Sequence, residues 1–281
     1  MIITPSILAV LVFIYAFILW TGFISLVNWN DVVPNYTWVG LQNFQRLFVT
    51  PSRFLTDLRN TAVFSAVFLT QCIVIGMVLA ILLDQHIRGE AFFRTVYVLP
   101  FAISAIVTGV AWKWLMTPSS GINAIFGALG LGFLQNRWYA DQNIGIIATA
   151  IAAAWQMSGY TMALYLAGLR SVPGELRDAA KIDGAGGMQY YRYIAIPLVT
   201  PVTFTVLIIL GTISLRLFDL TAAMTSSGPN FATDTPAFFM FQTTFQQYRY
   251  SQGAAIGVIM LIMALGLIVP YFFTIRDEIE R

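Results

Sequence analysis

The residues best suited to bind a polar solute lie inside stretches that are otherwise apolar. Trp155 stands next to Gln156, so one stretch offers an aromatic face for C–H groups and an amide for hydroxyl groups. Polar groups are costly inside a bilayer, which makes them functional candidates there. The further candidates, in the same stretch and in the next, are Ser158, Tyr160, Tyr165, Thr212 and Ser214. The alternative for each of them is helix–helix packing by polar side chains.

The chain lacks residues that most enzymatic chemistry requires. His86 and Cys72 are the only histidine and cysteine, which excludes an internal disulfide, a Cys/His metal cluster and a membrane hydrolase with a histidine constellation. The two lysines, Lys113 and Lys181, are followed by tryptophan and isoleucine, so neither belongs to a GxxxxGK[ST] nucleotide-binding loop. We therefore expect this chain to be no enzyme and to hold no cofactor or metal.

The composition indicates a protein that crosses a membrane several times. Hydrophobic residues make up 58% of the 281 residues and charged residues only 10%, whereas soluble domains carry about 25% charged residues. The mean hydropathy is +0.75. The formal net charge of +2 is small and gives no reason to expect a nucleic-acid partner.

Six stretches are long and apolar enough to predict membrane-spanning helices, each of which needs about 20 residues. We predict an all-α protein that forms a single transmembrane domain over residues 1–281. Pro100 and Pro270 fall inside apolar stretches, where they predict kinks. The predicted spans are Ser6–Val27, Thr61–Leu83, Thr95–Met116, Ile144–Leu169, Val199–Leu220 and Gly253–Ile275.

The basic residues predict how this bundle is oriented. Eight lie on one side of it, namely Arg88, Arg94, Arg170, Arg177, Lys181, Arg192, Arg276 and Arg281. Five lie on the other, namely Arg46, Arg53, Arg59, Arg137 and Arg249. Because positive residues accumulate in cytoplasmic loops, we expect residues 84–94, residues 170–198 and both termini in the cytoplasm. The aromatic and amide-rich loops on the other side form either an interfacial belt or a surface for an extracytoplasmic partner.

The segment from Glu175 to Pro197 is the most polar part of the chain. Leu176, Ala179 and Ala180 share one helical face, which is apolar but nearly flat. Three glycines, at 184, 186 and 187, then break the helix before a second short one, about Met188–Ala195, that Pro197 ends. The segment is either an amphipathic loop on the membrane surface or a docking element for a soluble partner.

The motifs in this segment resemble those of the membrane subunits of bacterial ATP-binding-cassette (ABC) importers, in the branch that carries sugars. The family pattern begins with EAA and continues with DGA. In this chain Asp178, Ala179 and Ala180 precede Asp183, Gly184 and Ala185. The stretches GEAFFRTVYVLPFAISAIVTGVAWKW and AAWQMSGYTMALYLAGLRSVPGELRDAAKIDGA extend the resemblance over nearly the whole chain. Two departures are Asp178, where glutamate is usual, and Ile196, where leucine is usual before the proline.

The resemblance implies that residues 170–198 form a coupling loop that sits in a cleft of an ATPase. The residues that it assigns to this role are Glu175, Asp178, Ala179, Ala180, Asp183, Gly184, Ala185 and Pro197. It implies four further partners: two ATP-binding subunits that use ATP and Mg²⁺, a second and related permease subunit, and an extracytoplasmic solute-binding protein. The chain itself would lie in the bacterial inner membrane and move a sugar inwards by alternating access.

Two other functions remain open from the residues. A phosphorylated polyol such as glycerol phosphate would need basic groups facing the pathway, and only Arg216 and Lys113 are available. A carrier that needs no ATP would need a carboxylate in a span, and Asp219, near one end, is the sole candidate. We expect Arg216 and Asp219 to pair with each other, three residues apart, and to have a structural or gating role.

Overall fold

A computed structural model describes residues 4–49, 52–85 and 87–279, so His86 and Arg281 lie outside the described residues. The described chain is helical, as predicted. Its β-type pairing is limited, in this part of the chain, to an isolated bridge between Val27 and Trp38.

The first half of the chain contains two long helices among shorter ones. In chain order they are α1 (Thr4–Val10), which continues through a π-helical turn (Leu11–Tyr15) into α2 (Ala16–Ser25), then α3 (Gln42–Phe48), α4 (Arg53–Asp84), α5 (Glu90–Val98) with a 3-10 turn (Leu99–Ala102), α6 (Ala105–Leu115), α7 (Ile122–Ala128) and α8 (Gly145–Ser171). The most extensive contact between two helices is that of α4 with α8.

The second half begins with short helices and ends with a long one. They are α9 (Gly174–Ile182), α10 (Gly187–Tyr190), a π-helical turn (Tyr191–Ala195), α11 (Ile196–Leu198), α12 (Thr200–Leu215), α13 (Asp219–Met224), α14 (Pro236–Phe241) with a π-helical turn (Gln242–Gln246), and α15 (Tyr250–Ile279). Helix α15 packs on α2 and α14, so the two ends of the chain meet on one side of the bundle.

Three to five of the described helical segments are long and apolar enough to cross a membrane. Ser6–Ser25, Arg53–Asp84 and Tyr250–Pro270 qualify as single helices. Two further pairs qualify only if each bent pair is one span: Glu90–Ala102 with Ala105–Leu115, bent by 99°, and Gly187–Leu198 with Thr200–Leu215, bent by 63°. Pro100 lies in the 3-10 turn at the first bend, where the sequence predicted a kink.

The fourth predicted span corresponds to α8, which has 27 residues and is not apolar enough to qualify by composition. At about 1.5 Å per residue, its length nonetheless exceeds the roughly 30 Å of a bilayer core. Most of its residues are buried inside the protein, among them Ala148, Ala150 and Ala152. A helix enclosed by other helices does not face lipid, so small and polar residues are tolerated along it.

The fifth predicted span, Val199–Leu220, is wrong at its carboxyl end. Helix α12 ends at Leu215, and residues 216–218 leave the helix before α13 begins at Asp219. Helix α13 packs on α6 rather than continuing the line of α12. The predicted span ran through this break because Leu217, Phe218 and Leu220 keep the stretch apolar on average, although the charged Arg216 and Asp219 lie at the break.

Candidate functional site

The turn between the two short helices of the predicted coupling loop follows from one glycine. Helix α9 begins beside Glu175, whose carboxylate lies at the positive end of the helix dipole. Gly184 has φ +78°, a left-handed conformation that residues with a side chain rarely adopt. The Gly184 and Ala185 amides donate to the Lys181 and Ala180 carbonyls at 3.1 and 2.9 Å, which closes a Schellman-type end. The break predicted at this glycine is therefore present.

The exposed face of the loop differs from the alanine face that the sequence suggested. Ala180 is only 5% exposed and packs into the main hydrophobic core, whereas Ala179 is exposed. Two larger apolar side chains project outwards instead, Ile182 at 86% and Met188 at 78% exposure. The face available to a partner therefore includes Ile182 and Met188 and does not include Ala180.

The other predicted coupling residues are accessible to different degrees. Asp178 accepts a hydrogen bond from Lys181 Nζ at 3.0 Å, in an ion pair that is largely exposed. Asp183 and Glu175 are exposed, and Ala185 is half-buried. Pro197 is exposed inside α11, so the helical turn runs to Leu198 rather than ending at the proline.

Three polar side chains, Asp84, Arg177 and Tyr191, form a cluster that sequence reasoning missed. Asp84 Oδ2 accepts hydrogen bonds from Arg177 Nη2 at 2.5 Å and from the Tyr191 hydroxyl at 2.6 Å. Arg177 also donates to the Tyr191 hydroxyl at 2.9 Å. Burial lowers the pKa of Arg177, but the hydrogen bond and charge of Asp84, together with Tyr191 and Tyr190, outweigh that effect, so the pKa lies above its ordinary value. Arg177 therefore stays charged, and it ties α9 and the following π-helical turn to the end of α4.

The signal that could have revealed this cluster is Asp84 itself. A carboxylate in the last turn of a helix meets the negative end of the helix dipole, so it needs a cation nearby. The cluster borders a cavity of about 560 Å³, whose wall also contains Ile81, Lys181 and Met188.

A second cavity, of about 210 Å³, is walled by residues from α4, α8, α12 and the segments around α5, α6 and α13. Its polar lining groups are Gln156, Arg216 and Asp219. Its lining residues are Phe64, Phe68, Phe101, Ala105, Ala153, Gln156, Met157, Ile213, Arg216, Leu217, Phe218, Asp219 and Leu220. Aromatic rings beside hydrogen-bonding groups give this cavity the character of a site for a polar solute with apolar faces.

Gln156 is the one predicted pathway residue that lines this cavity. Its Nε2 donates to the Ile103 carbonyl at 2.6 Å, at the bend between the 3-10 turn and α6. That bond satisfies a carbonyl that the broken helix leaves free, as a bend inside a membrane requires. Gln156 therefore stabilises the bend and also lines the cavity.

The other predicted pathway residues lie outside the cavity wall. Trp155 is 41% exposed and packs edge-to-face with Trp112 at 5.9 Å, and Tyr160 stacks on Phe101 at 4.9 Å. The remaining hydroxyls are already hydrogen-bonded. Tyr165 bonds to Thr203 and Ser214 to Ser65, each on a neighbouring helix. Ser158, Thr212 and Ser214 bond to carbonyls of their own helices, those of Trp155, Ile208 and Gly211. The hydrogen bonds between helices favour the packing alternative for Tyr165 and Ser214.

The expected ion pair between Arg216 and Asp219 is not formed in the described part of the chain. Both side chains are exposed, and both border the second cavity. The break after Leu215 separates them, because they do not share one helix. Both are available to a solute.

A second polar cluster holds the predicted outer loop after α13 against the start of α4. Arg53 donates to Asp234 Oδ2 and to Gln242 Oε1, each at 2.5 Å. The Arg53 guanidinium also lies 4.4 Å from the ring centres of both Phe231 and Phe239. Asp234 is fully buried, so this loop is fixed by a charged pair within an aromatic enclosure.

The described residues contain no group of three or more His, Cys, Asp or Glu side chains that could hold a metal ion.

Similarity to known proteins indicates the family of this chain. The family model described as "Binding-protein-dependent transport system inner membrane component" matches residues 72–277.

Two relatives and one solved structure are similar over most of this chain. A probable ABC transporter permease protein of Pyrococcus horikoshii is 41% identical, over 99% of this chain and 95% of that protein. The xylose/arabinose import permease protein XacH of Haloferax volcanii is 34% identical, over 90% of this chain and 81% of that protein. The fold is similar to a bacterial ABC transporter involved in the import of the acidic polysaccharide alginate, with a TM-score of 0.82, 21% identity and coverage of 97% of this chain and 93% of that one.

Proposed function

We propose, from the premise that the chain belongs to the family of binding-protein-dependent transport system inner membrane components, that this ABC transporter permease subunit imports a sugar. The proposal rests on the second cavity, where Gln156, Arg216 and Asp219 can form hydrogen bonds next to the rings of Phe64 and Phe68. A sugar presents hydroxyl groups together with a C–H face, and that combination suits an aromatic wall with a few polar groups.

The energy for this transport would come from separate subunits. Neither lysine of the chain belongs to a phosphate-binding GxxxxGK[ST] loop, so the ATP and Mg²⁺ would be bound by two partner ATPases. One chain supplies one coupling loop, and two ATPases need two, so a second permease subunit is implied. The family description itself includes dependence on a binding protein, which we assign to the outer side.

Within this assembly we assign the coupling role to residues 170–198. The assignment is supported by the exposed apolar side chains of Ile182 and Met188, which large interfaces commonly bury. Charged groups flank them, including the exposed Asp178 and Lys181 pair. Glu175, Ala179, Asp183, Gly184, Ala185 and Pro197 complete the proposed surface, and Ala180 supports it from inside.

We further propose that six spans form this single domain, with both termini and residues 170–198 in the cytoplasm. Helix α8 would be the fourth span, because it is long enough and other helices shield it from lipid. The bent pair of Glu90–Ala102 with Ala105–Leu115 would be the third span, and Thr200–Leu215, which follows the proposed coupling loop, would be the fifth. The inner membrane is then the location of the chain, in keeping with the description of its family.

One observation favours a phosphorylated polyol as the alternative substrate. Arg216 is exposed at the second cavity and would attract a phosphate group. Asp219 borders the same cavity and would repel it, so the two charges together favour a neutral solute.

The proposal is tested by reconstituting the complex with its partner subunits and binding protein, and by measuring ATP-dependent uptake of neutral sugars and of glycerol 3-phosphate. We expect at least one neutral sugar to be taken up and glycerol 3-phosphate not to be. Uptake of glycerol phosphate alone would support the alternative. Substrate accumulation without any ATP would contradict both and indicate an ATP-independent carrier.

A further inference from the structure

The cluster of Asp84, Arg177 and Tyr191 joins the proposed coupling loop to one rigid helix of the bundle. Asp84 is the last residue of α4, and its side chain is 6% exposed. Arg177 belongs to α9, and Tyr191 begins the π-helical turn after α10. One carboxylate therefore connects both short helices of the loop to α4.

The hydrogen bonds and charges of this cluster, called the joint from here on, make it rigid. Hydrogen bonds that involve a charged group are stronger than neutral ones, and Asp84 accepts two donors on the same oxygen. The guanidinium of Arg177 also lies 5.0 Å from the ring centre of Tyr190 and 5.8 Å from that of Tyr191. Ala180 and Ala195 are buried on either side of this arrangement. The loop therefore has little freedom to move without the end of α4.

The opposite part of α4 reaches the second cavity. Phe64 and Phe68 lie on the same helix and form part of the cavity wall. Phe64 and Asp84 are 20 positions apart on an uninterrupted helix, a distance of about 30 Å at about 1.5 Å per residue. If Asp84 is displaced, the rest of α4 must therefore move with it, and α4 packs closely on α8.

We propose that Asp84, Arg177 and Tyr191 are positioning residues that transmit movement of the coupling loop through α4 to the cavity wall. The proposal rests on the proposed function, since it needs an ATPase to move the loop. Without the joint, the loop would remain attached to the bundle through its chain connections to α8 and α12 and through its buried side chains. ATP hydrolysis would then proceed with less substrate carried for each ATP.

The test measures coupling rather than activity alone. The complete importer, with partner permease, ATPase subunits and binding protein, is reconstituted in liposomes, and substrate taken up is divided by ATP hydrolysed. We expect Asp84→Asn and Arg177→Gln each to lower this ratio about tenfold, since a hydrogen bond to a charged group has about that effect on an equilibrium. The double variant should lose no more than either single one, because both remove the same bond.

Matched variants distinguish the loss of this specific cluster from a general loss of folding or assembly. Arg88→Gln removes a basic residue just beyond α4 that is exposed, and it should retain the wild-type ratio. Asp84→Glu keeps the charge and should recover most of the coupling. The neutral variants, Asp84→Asn and Arg177→Gln, could fail to assemble with the ATPase subunits. In that case Tyr191→Phe is the deciding variant, because it removes only one hydroxyl. We expect this variant to assemble and to lower the ratio about threefold.

The possible outcomes distinguish this inference from the proposed function. No ATP-dependent uptake by the wild-type complex would contradict the proposed function itself. Normal wild-type uptake with an unchanged ratio in Asp84→Asn and Arg177→Gln would overturn the joint alone. A double variant that loses as much coupling as the two single variants together would also overturn the joint. If the neutral variants do not assemble, an unchanged ratio in Tyr191→Phe would overturn it.

Discussion

At the scale of single residues, Gln156 connects the fold with the proposed substrate pathway. Its amide satisfies the Ile103 carbonyl at a helix bend, and its side chain borders the second cavity. Trp155, its neighbour in sequence, lies outside that cavity and packs on Trp112. Adjacent residues on a helix point in different directions, so the sequence could nominate this pair but could not say which member reaches the cavity.

Replacing Gln156 should impair transport while leaving the complex assembled. We expect Gln156→Ala to lower the uptake rate about tenfold, because the partly buried Ile103 carbonyl and the solute both lose a donor. Uptake in reconstituted liposomes measures the effect. Thr95→Ala is the matched control, since the Thr95 hydroxyl bonds to the Ala91 carbonyl of its own helix. Wild-type uptake by Gln156→Ala would place the pathway elsewhere.

Arg53 is the residue whose loss should cost the most stability. It is the cation paired with the fully buried Asp234. Removing one partner of a buried ion pair costs about 3–5 kcal/mol. We expect Arg53→Gln to lower the free energy of unfolding in detergent by about that amount. Arg59→Gln, an exposed position on the same helix, should leave the free energy nearly unchanged.

At the scale of elements, the proposed coupling loop shows which features the local sequence determines. The turn at Gly184 was predictable because a positive φ is a local requirement and glycine meets it. The Asp84–Arg177 pair was not, because its members are 93 residues apart and only the fold brings them together. The break after α12 was also missed, since three apolar residues alternate with Arg216 and Asp219 there and keep the stretch apolar on average.

A substitution at Gly184 should disturb the angle between α9 and α10. We expect Gly184→Val to abolish uptake while the protein still inserts, because a β-branched residue is strained at φ +78°. Gly187→Val is the matched control: that glycine has open space around it, as Gly184 has, but begins a helix with ordinary backbone angles. Membrane insertion and uptake are measured together. Equal uptake by the two variants would contradict a specific role for the turn.

At the scale of the whole molecule, much of the exposed surface is apolar. Large apolar side chains such as Leu19 and Trp114 are 74% and 72% exposed, as expected of a surface that faces lipid or other subunits. Composition alone predicted the membrane class, because so few residues are charged. It could not establish the number of spans, since the enclosed helix α8 does not need an apolar surface.

The most direct test of the account is photo-crosslinking from the coupling loop to the ATPase subunit in the assembled complex. A photoreactive residue at Ile182, which is 86% exposed, should crosslink to that subunit. The same residue at Phe133, which is 81% exposed on the opposite predicted side, should not. A crosslink from Phe133, or none from Ile182 in a complex that still hydrolyses ATP, would contradict the assignment of residues 170–198 as the coupling surface.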